Sequence, residues 1–281
     1  MADVMRAALV QMTSTDIPAE NVTSVLEALK IAKAGGADFV LTPEVTNCLS
    51  TSRAHQEQVL SAQEDDLVLA AVRTAATDLG LWVLIGSCAL KTTDADGRFA
   101  NRSLLISDTG DLVAHYDKIH MFDVDVSETE TYRESEGYRP GDRAVTTQTP
   151  FGMLGFTICY DVRFPTLHRQ LAQEGAQILT SPAAFSYLTG QAHWETLLRA
   201  RAIETGCFVL APAQTGIHPS TTGSTRQTHG HSLAIAPWGE ILLDAGTEPG
   251  VYFVDIDLDQ VSGARRRVPS LTHDRSYHIT K

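Results

Sequence analysis

Three side chains in this 281-residue chain carry groups suited to opening an amide, and each follows a short apolar run. Cys159 closes LGFTIC and is followed at once by an aromatic, an acid and, after one valine, an arginine. Glu44 follows DFVLTP, and Lys118 stands in AHYDKIHMFD just past a short extended segment. In open α/β sheets, functional groups gather where strands end at their carboxyl edge. A carboxylate, an ammonium and a thiol together suit attack on an amide or nitrile carbon. The carboxylate takes the thiol proton, the sulfur forms the covalent bond, and the ammonium stabilises charge developing on oxygen. Each residue alone has a plainer reading. Free cysteines are among the most buried residue types, a strand-end glutamate is commonly a solvated acid or a helix cap, and a lysine is usually a surface residue.

The surroundings of Cys159 sharpen its case. RFPTLHRQLAQEG reads as a helix with Pro165 in its first turn, where a proline loses no hydrogen bond. The cysteine therefore stands between a strand end and a helix N-terminus, near Arg163. A helix dipole and a neighbouring cation are both expected to lower its pKa and favour thiolate.

The elements that must position these residues follow from apolar periodicity. Strands are expected near 7–12, 38–43, 81–90, 102–108, 154–159, 177–182, 207–212, 231–237, 240–246 and 251–257. Helices are expected near 20–34, 66–79, 164–174, 191–205 and 258–267, with hairpin turns at TPFGML and APWGEI. Strands separated by helices imply crossover connections and mostly parallel or mixed sheets. The two halves also echo each other. AGGADFVLTPEV resembles QEGAQILTSPAA, so that Gly36 and Gly175, Ala37 and Ala176, and Pro43 and Pro182 pair at one interval. DLGLWVLIGS and ETGCFVLAPA form a second pair of helix–glycine–strand units. Two similar halves suggest two sheets face to face with helices outside.

Composition narrows the function. Hydrophobic residues at 43% and charged residues at 20% describe a globular chain. A formal net charge of −12 argues against nucleic acid as a partner. The basic run Arg265–Arg266–Arg267 reads as a solvated or interface face. No apolar run is long enough for a membrane span, and MADVMRAALVQM lacks a signal-peptide layout, so a cytoplasmic location is expected. Four cysteines without Cys-x-x-Cys spacing suit reduced thiols, and Cys88 and Cys207 read as core residues. His229 and His231 have no third ligand at a metal-binding spacing. GHSLA is one residue short of a serine nucleophile elbow, and Ser232 opens a strand instead of a strand–turn–helix. There is no glycine-rich phosphate loop.

LTPEVT, HYDKIHMFD and GFTICYDVRFP resemble, in order and approximate separation, the three signature segments of the nitrilase superfamily of carbon–nitrogen hydrolases. The likeness continues through TGQAHWETLLRARAIETGCFVLAPAQTG and GHSLAIAPWGEIL, and so covers nearly the whole chain. CYDVRFP with HWETLLRARAIE is most similar to the Nit-type amidases; true nitrilases typically place tryptophan and glutamate after the cysteine. The resemblance implies one domain over 1–281, folded as a four-layer αββα sandwich of two mixed sheets with helices outside. It implies Glu44 as general base, Lys118 as the stabilising cation and Cys159 as nucleophile. In YRESEGYRPGD it implies a further glutamate that holds Lys118 and orients the amide, Glu134 with Glu136 as alternative. Tyr160, Arg163 and Phe185 are then candidates to line the pocket, and Arg163 or Arg199 to meet a substrate carboxylate. Glu195 and Arg199, one helical turn apart, also read as a structural pair. The implied reaction converts the terminal amide of a small anionic 2-oxo compound to acid and ammonia through a thioester. Deaminated glutathione stands ahead of 2-oxoglutaramate and 2-oxosuccinamate, followed by nitriles or other aliphatic amides, and then by a catalytically silent binding protein. No cofactor or metal is implied, and a homodimer or homotetramer with about 258–281 at an interface is expected.

Overall fold

A strand covered on both faces should be apolar along its whole length, whereas one with a wet face should alternate. Trp82–Leu90 is of the first kind, buried at every residue after Trp82. It is the middle of a layered structure. The computed structural model describes residues 4–280 apart from Ser127, Thr129 and Ser224. Met1–Asp3, the start of the segment read for a leader, and Lys281 thus lie outside the described residues.

The first half runs β1 (Met5–Gln11), α1 (Pro18–Ala34), β2 (Phe39–Leu41), α2 (Arg53–Val59), α3 (Leu67–Leu79), β3 (Trp82–Leu90), β4 (Ala100–Ile106) and β5 (Leu112–Asp117). A small hairpin, β6 (Asp123–Asp125) and β7 (Thr131–Arg133), leads into the one-turn helix α4 (Glu134–Gly137). Next come β8 (Thr146–Thr149), β9 (Gly152–Phe156), α5 (Pro165–Gln173), β10 (Ile178–Thr180), α6 (Tyr187–Thr205) and β11 (Phe208–Ala211). The chain ends with β12 (Thr215–His218), β13 (Arg226–His229), β14 (Leu233–Ile235), β15 (Ile241–Asp244), β16 (Gly250–Ile256) and α7 (Asp259–Arg267).

Among the described residues the strands form two six-stranded sheets, ordered β16-β1-β2-β3-β4-β5 and β8-β9-β10-β11-β14-β15. The two have the same pattern of directions. In each, three central strands are parallel and the flanking pairs antiparallel. The sequence echo falls on this correspondence: β2 matches β10, and β3 matches β11. Gly80 and Gly206 close α3 and α6 in the same left-handed conformation, with φ 59° in both, where a β-carbon is disfavoured.

Side-chain alternation divides the core into layers. Ala7 and Leu9 of β1 join Leu41, Leu84, Phe156, Ile178 and Leu210 in a cluster shared by both sheets. Ala8 and Val10, one step along, face the other way and pack with Val25 and Leu29 of α1 and Val68 and Val72 of α3. Leu167 and Leu171 of α5, with Trp194 and Leu198 of α6, cover the second sheet. This is the expected αββα sandwich of two mixed sheets. Cys88 and Cys207 are fully buried core residues.

Each strand and helix expected from periodicity is present, with ends shifted by a few residues. The hairpin turns at TPFGML and APWGEI join β8 to β9 and β14 to β15. β5 (LVAHYD) was expected only as a short extended segment before Lys118, and the other elements that periodicity did not reveal are short and polar: α2, α4, β6, β7, β8 (TTQT), β12 (TGIH) and β13 (RQTH). They bury too little apolar surface to leave an alternating pattern, and their partners are remote or across loops.

Gly86 shows how tightly the halves meet. The β3–β4 register slips between Ile85 and Cys88, so Gly86 and Ser87 form a bulge in β3 beside the end of β2. There Gly86 N–H donates to Thr42 Oγ1 at 3.1 Å, and Ser87 Oγ accepts from Val45 N–H at 2.8 Å. A β-carbon on Gly86 would lie 2.0 Å from the Thr42 carbonyl oxygen and 2.5 Å from Pro182 Cβ. Both are main-chain or ring atoms that cannot swing away. Gly86→Ala is expected to cost about 2 kcal/mol by overpacking, lowering the melting temperature by about 5 °C in calorimetry, and to reduce activity because the loop that moves carries Glu44.

Candidate active site

The candidate residues converge from both sheets. Glu44 follows β2, Lys118 follows β5, Cys159 follows β9, and Glu134 opens α4. Lys118 is 2% exposed, Glu44 4% and Cys159 6%, so three ionisable groups share a nearly dry floor. Lys118 Nζ lies 2.9 Å from Glu44 Oε1 and 2.8 Å from Glu134 Oε2. Glu134 is therefore the glutamate on the lysine. Glu136 lines the same cavity nearby.

Every carboxylate oxygen here has a donor. Ala184 N–H donates to Glu44 Oε2 at 2.7 Å, and Phe122 N–H to Glu134 Oε2 at 2.6 Å. Asn101 Nδ2, which sequence reasoning missed, donates to Glu44 at 2.9 Å and to Glu134 at 3.3 Å. Its signal was faint: an asparagine in the apolar strand FANRSLLIS, where a buried amide needs a reason. The main chain of Glu44 is fixed as well, since Gln214 Nε2 donates to its carbonyl at 3.0 Å.

Cys159 occupies an unusual turn. Its φ is 49°, a left-handed value uncommon outside glycine and asparagine. Asp161 overcomes that cost from beneath. Fully buried, it accepts from Ile158 N–H at 2.8 Å, Tyr116 O–H at 2.7 Å and His120 N–H at 3.1 Å, while His120 Nδ1 lies 2.7 Å away. Cys159 N–H donates to the Pro182 carbonyl at 2.9 Å, tying the turn to the end of β10.

The expected low-pKa thiolate is overturned. Cys159 opens a single 3-10 turn, Cys159–Arg163, and α5 begins only at Pro165, so no long helix points at the sulfur. Burial and then the Glu44 charge push the thiol well above its ordinary 9.0, despite Lys118 and Arg226. Burial would also raise Glu44, but the charge and hydrogen bond of Lys118, with the charge of Arg226, hold it below 4.5. Burial would lower Lys118, but Glu134 and Glu44 keep it a firm ammonium. The resting site thus holds a neutral thiol hydrogen-bonded to a carboxylate, beside a cation.

Above this floor is a cavity of about 630 Å³, walled also by Tyr160, Phe185, Tyr132 and Arg226. Tyr160 and Phe185 stand where the sequence placed them. Arg163 and Arg199 are not among the lining residues. Arg163 lies over the rings of Tyr160 and Phe185, 5.8 and 5.5 Å from their centroids, and meets His193. Arg199 donates to the Gly239 carbonyl at 3.0 Å and pairs with Glu195 at 3.3 Å, the structural role. Arg226 escaped sequence reasoning because it stands in the polar segment TRQTHG, whose strand was not recognised. Nearby, His229 and His231 stack at 4.6 Å with His231 on Asp244. Ser232 is buried, its hydroxyl donating to Gln11 Oε1 at 2.9 Å.

A two-sheet sandwich that brings a thiol, an ammonium and two carboxylates into contact under a cavity has the fold and functional groups of a hydrolase. Residues 6–266 match the carbon–nitrogen hydrolase family. The deaminated glutathione amidase of Synechocystis is 40% identical over 272 residues, covering 95% of this chain and 97% of that protein. The crystal structure of the C. elegans NitFhit protein superposes with a TM-score of 0.89 at 34% identity, over 98% of this chain and 66% of that longer one. The structure of a glutamate-to-glutamine mutant of an amidase from Nesterenkonia, showing covalent addition of the acetamide moiety of fluoroacetamide at the active-site cysteine, superposes with a TM-score of 0.76 at 26% identity, over 94% of each chain. The chain belongs to the carbon–nitrogen hydrolase family of the nitrilase superfamily and is an amide hydrolase of its Nit-type branch.

The protonation state is directly measurable. A group whose pKa is raised stays protonated through neutral pH. The 240 nm absorbance difference between the wild type and Cys159→Ala should therefore stay flat from about pH 6 to about pH 9. A thiolate step in that range would contradict the neutral resting thiol.

Proposed function

We propose that the chain hydrolyses the amide of deaminated glutathione through a thioester on Cys159, with Glu44 as general base and acid and Lys118 as the stabilising cation. The observation that carries this reading is one connected contact set: thiol on Glu44, Glu44 on Lys118, Lys118 on Glu134. Glu44 takes the Sγ proton as sulfur bonds to the amide carbon, and the carbonyl electron pair moves onto oxygen. Proton transfer is concerted with attack, because a high-pKa thiol gives up its proton to a low-pKa carboxylate only as the S–C bond forms. An ammonium has three protons. With one on Glu44 and one shared by the Glu134 oxygens, the third is available to the oxyanion, joined by the Tyr160 N–H. Glu134 keeps the lysine aimed. Protonated Glu44 then gives its proton to the leaving nitrogen as the C–N bond breaks. Water, deprotonated by Glu44, opens the thioester and restores the thiol.

The substrate assignment draws on two supports. One is the 40% identity to a relative named for that activity. The other is the cavity of about 630 Å³, which suits a molecule of about twenty non-hydrogen atoms better than a five-carbon amide. Deaminated glutathione carries no terminal carboxamide; its cleavable amide joins a 2-oxoglutaryl group to cysteinylglycine. The amine of that dipeptide is then the leaving group, and ammonia is released only from substrates such as 2-oxoglutaramate. In the same proposal the chain works as one domain, 1–281, in the cytoplasm, with buried free cysteines. It assembles as a homodimer or homotetramer with about 258–281 at an interface, a reading supported by the exposed apolar side chains Ile203, Trp238, Ile241 and Leu242 and by Arg267, which stacks on Trp238 at 3.7 Å.

Release of cysteinylglycine, and of ammonia from 2-oxoglutaramate, 2-oxosuccinamate, simple amides and nitriles, tests both parts. Cys159→Ala should be inactive, Glu44→Gln should lose about 10²–10⁴ in kcat, and Lys118→Met about 10²–10³. Preference for a simple aliphatic amide would overturn the substrate while leaving the mechanism, and an inactive wild type would overturn both.

A further inference from the structure

Among the described residues, four cations line the cavity, and Arg226 is the one that no carboxylate holds in an ion pair. Lys118 is committed to two carboxylates. Arg53 pairs with Glu57 and donates to the carbonyls of Gly137 and Gly97. Arg133 pairs with Asp125 and donates to the carbonyls of Val124 and Tyr132. Arg226, also on the wall, has no carboxylate within ion-pair distance among the described residues. Its Nη2 donates to the Ala184 carbonyl at 2.5 Å, and its guanidinium lies 5.4 Å from the Tyr132 ring centroid. Its Nε is buried without a hydrogen-bond partner.

That is a costly state for an arginine. A guanidinium has five N–H donors in a rigid fork, and a buried donor left unmade loses the hydration it had in water. A substrate carboxylate would satisfy the fork with two parallel charge-assisted hydrogen bonds. Position fits this use. The carbonyl that Arg226 holds belongs to Ala184, whose N–H holds Glu44, so the cation stands one peptide unit from the group that handles the proton.

We infer that Arg226 is the specificity-determining residue of this enzyme and binds a carboxylate of the substrate within the cavity. This rests on the amidase reading above. It replaces Arg163 and Arg199, which the structure places elsewhere. The carboxylate belongs to either end of the molecule: the 2-oxo acid that stays on Cys159, or the glycine of the leaving dipeptide. Both ends leave as separate products, so each can be titrated alone.

The test measures dissociation constants of 2-oxoglutarate and of cysteinylglycine by calorimetry on the wild type, Arg226→Gln and Arg226→Lys. One product should bind 10- to 100-fold more weakly to the Gln variant, the scale of charge-assisted hydrogen bonds, and much less so to the Lys variant. Loss for 2-oxoglutarate identifies the acyl end, and loss for cysteinylglycine the leaving end. In kinetics, KM for deaminated glutathione should rise by a larger factor than kcat falls. A residue acting only through Ala184 and Glu44 would lower kcat and leave both dissociation constants unchanged, and that result would overturn the inference. So would failure of the wild type to bind either product. An enzyme that binds 2-oxoglutarate through Arg226 but turns over only other amides would keep the inference and refute the substrate alone.

Discussion

A buried ammonium held between one buried carboxylate, Glu44, and one half-buried carboxylate, Glu134, is the constraint on which the rest of this structure depends. Removing three charges from water is expensive, and their mutual attraction compensates only when geometry is good and every remaining oxygen has a donor. The fold meets both conditions by drawing on distant parts of the chain. Ala184 and Phe122 supply main-chain N–H groups, Asn101 supplies an amide to both acids, and Gln214 holds the Glu44 main chain. These residues come from both sheets, so the charged centre and the sandwich presuppose each other.

The same dryness sets the character of the thiol. An exposed cysteine at a long helix N-terminus would be ionised early; here burial and an adjacent carboxylate hold the proton on sulfur. Reactivity is thereby linked to the arrival of a carbonyl carbon. The positive φ of Cys159 belongs to this arrangement, because Asp161 fixes a conformation the residue would otherwise avoid. Tyr116 and His120 secure that aspartate in turn, and both lie beside Lys118 in sequence. One short segment therefore supports the nucleophile's turn and supplies the cation.

Duplication of one strand pattern explains how such a centre arises from two halves. Corresponding loops after β2 and β10 meet at the sheet interface, where Pro43, Pro182 and Gly86 crowd together. One loop carries Glu44 and the other carries Ala184, so the symmetry of the scaffold becomes a hydrogen bond between the halves. The short polar hairpins β6–β7 and β12–β13 break that symmetry. They add the Tyr132 and Arg226 walls, and with them the shape of the cavity.

Much of the scaffold was legible in the amino-acid order. Long apolar strands and helices ending in glycine are local patterns, and the repeated helix–glycine–strand units disclosed two similar sheets. Glu44, Lys118 and Cys159 each had a plainer reading alone and were legible only in combination, through three segments that resemble the family's signature segments in order and separation. The polar hairpins and the identity of the substrate's cationic partner were not legible, since short wet strands carry no periodicity and an arginine's value depends on which acids surround it. Arg163 looked apt by its closeness to Cys159 in sequence, yet its side chain lies over the rings of Tyr160 and Phe185 and does not itself line the cavity. By itself the sequence determined which elements form and which functional groups they deliver, because periodicity, caps and side-chain chemistry are short-range properties. Tertiary structure alone decided that Glu134 and not Glu136 meets Lys118, that the thiol keeps its proton, and that Arg226 lines the cavity with no ion-paired acid among the described residues. Those outcomes depend on burial and on charges far apart in the chain, which only folding brings together.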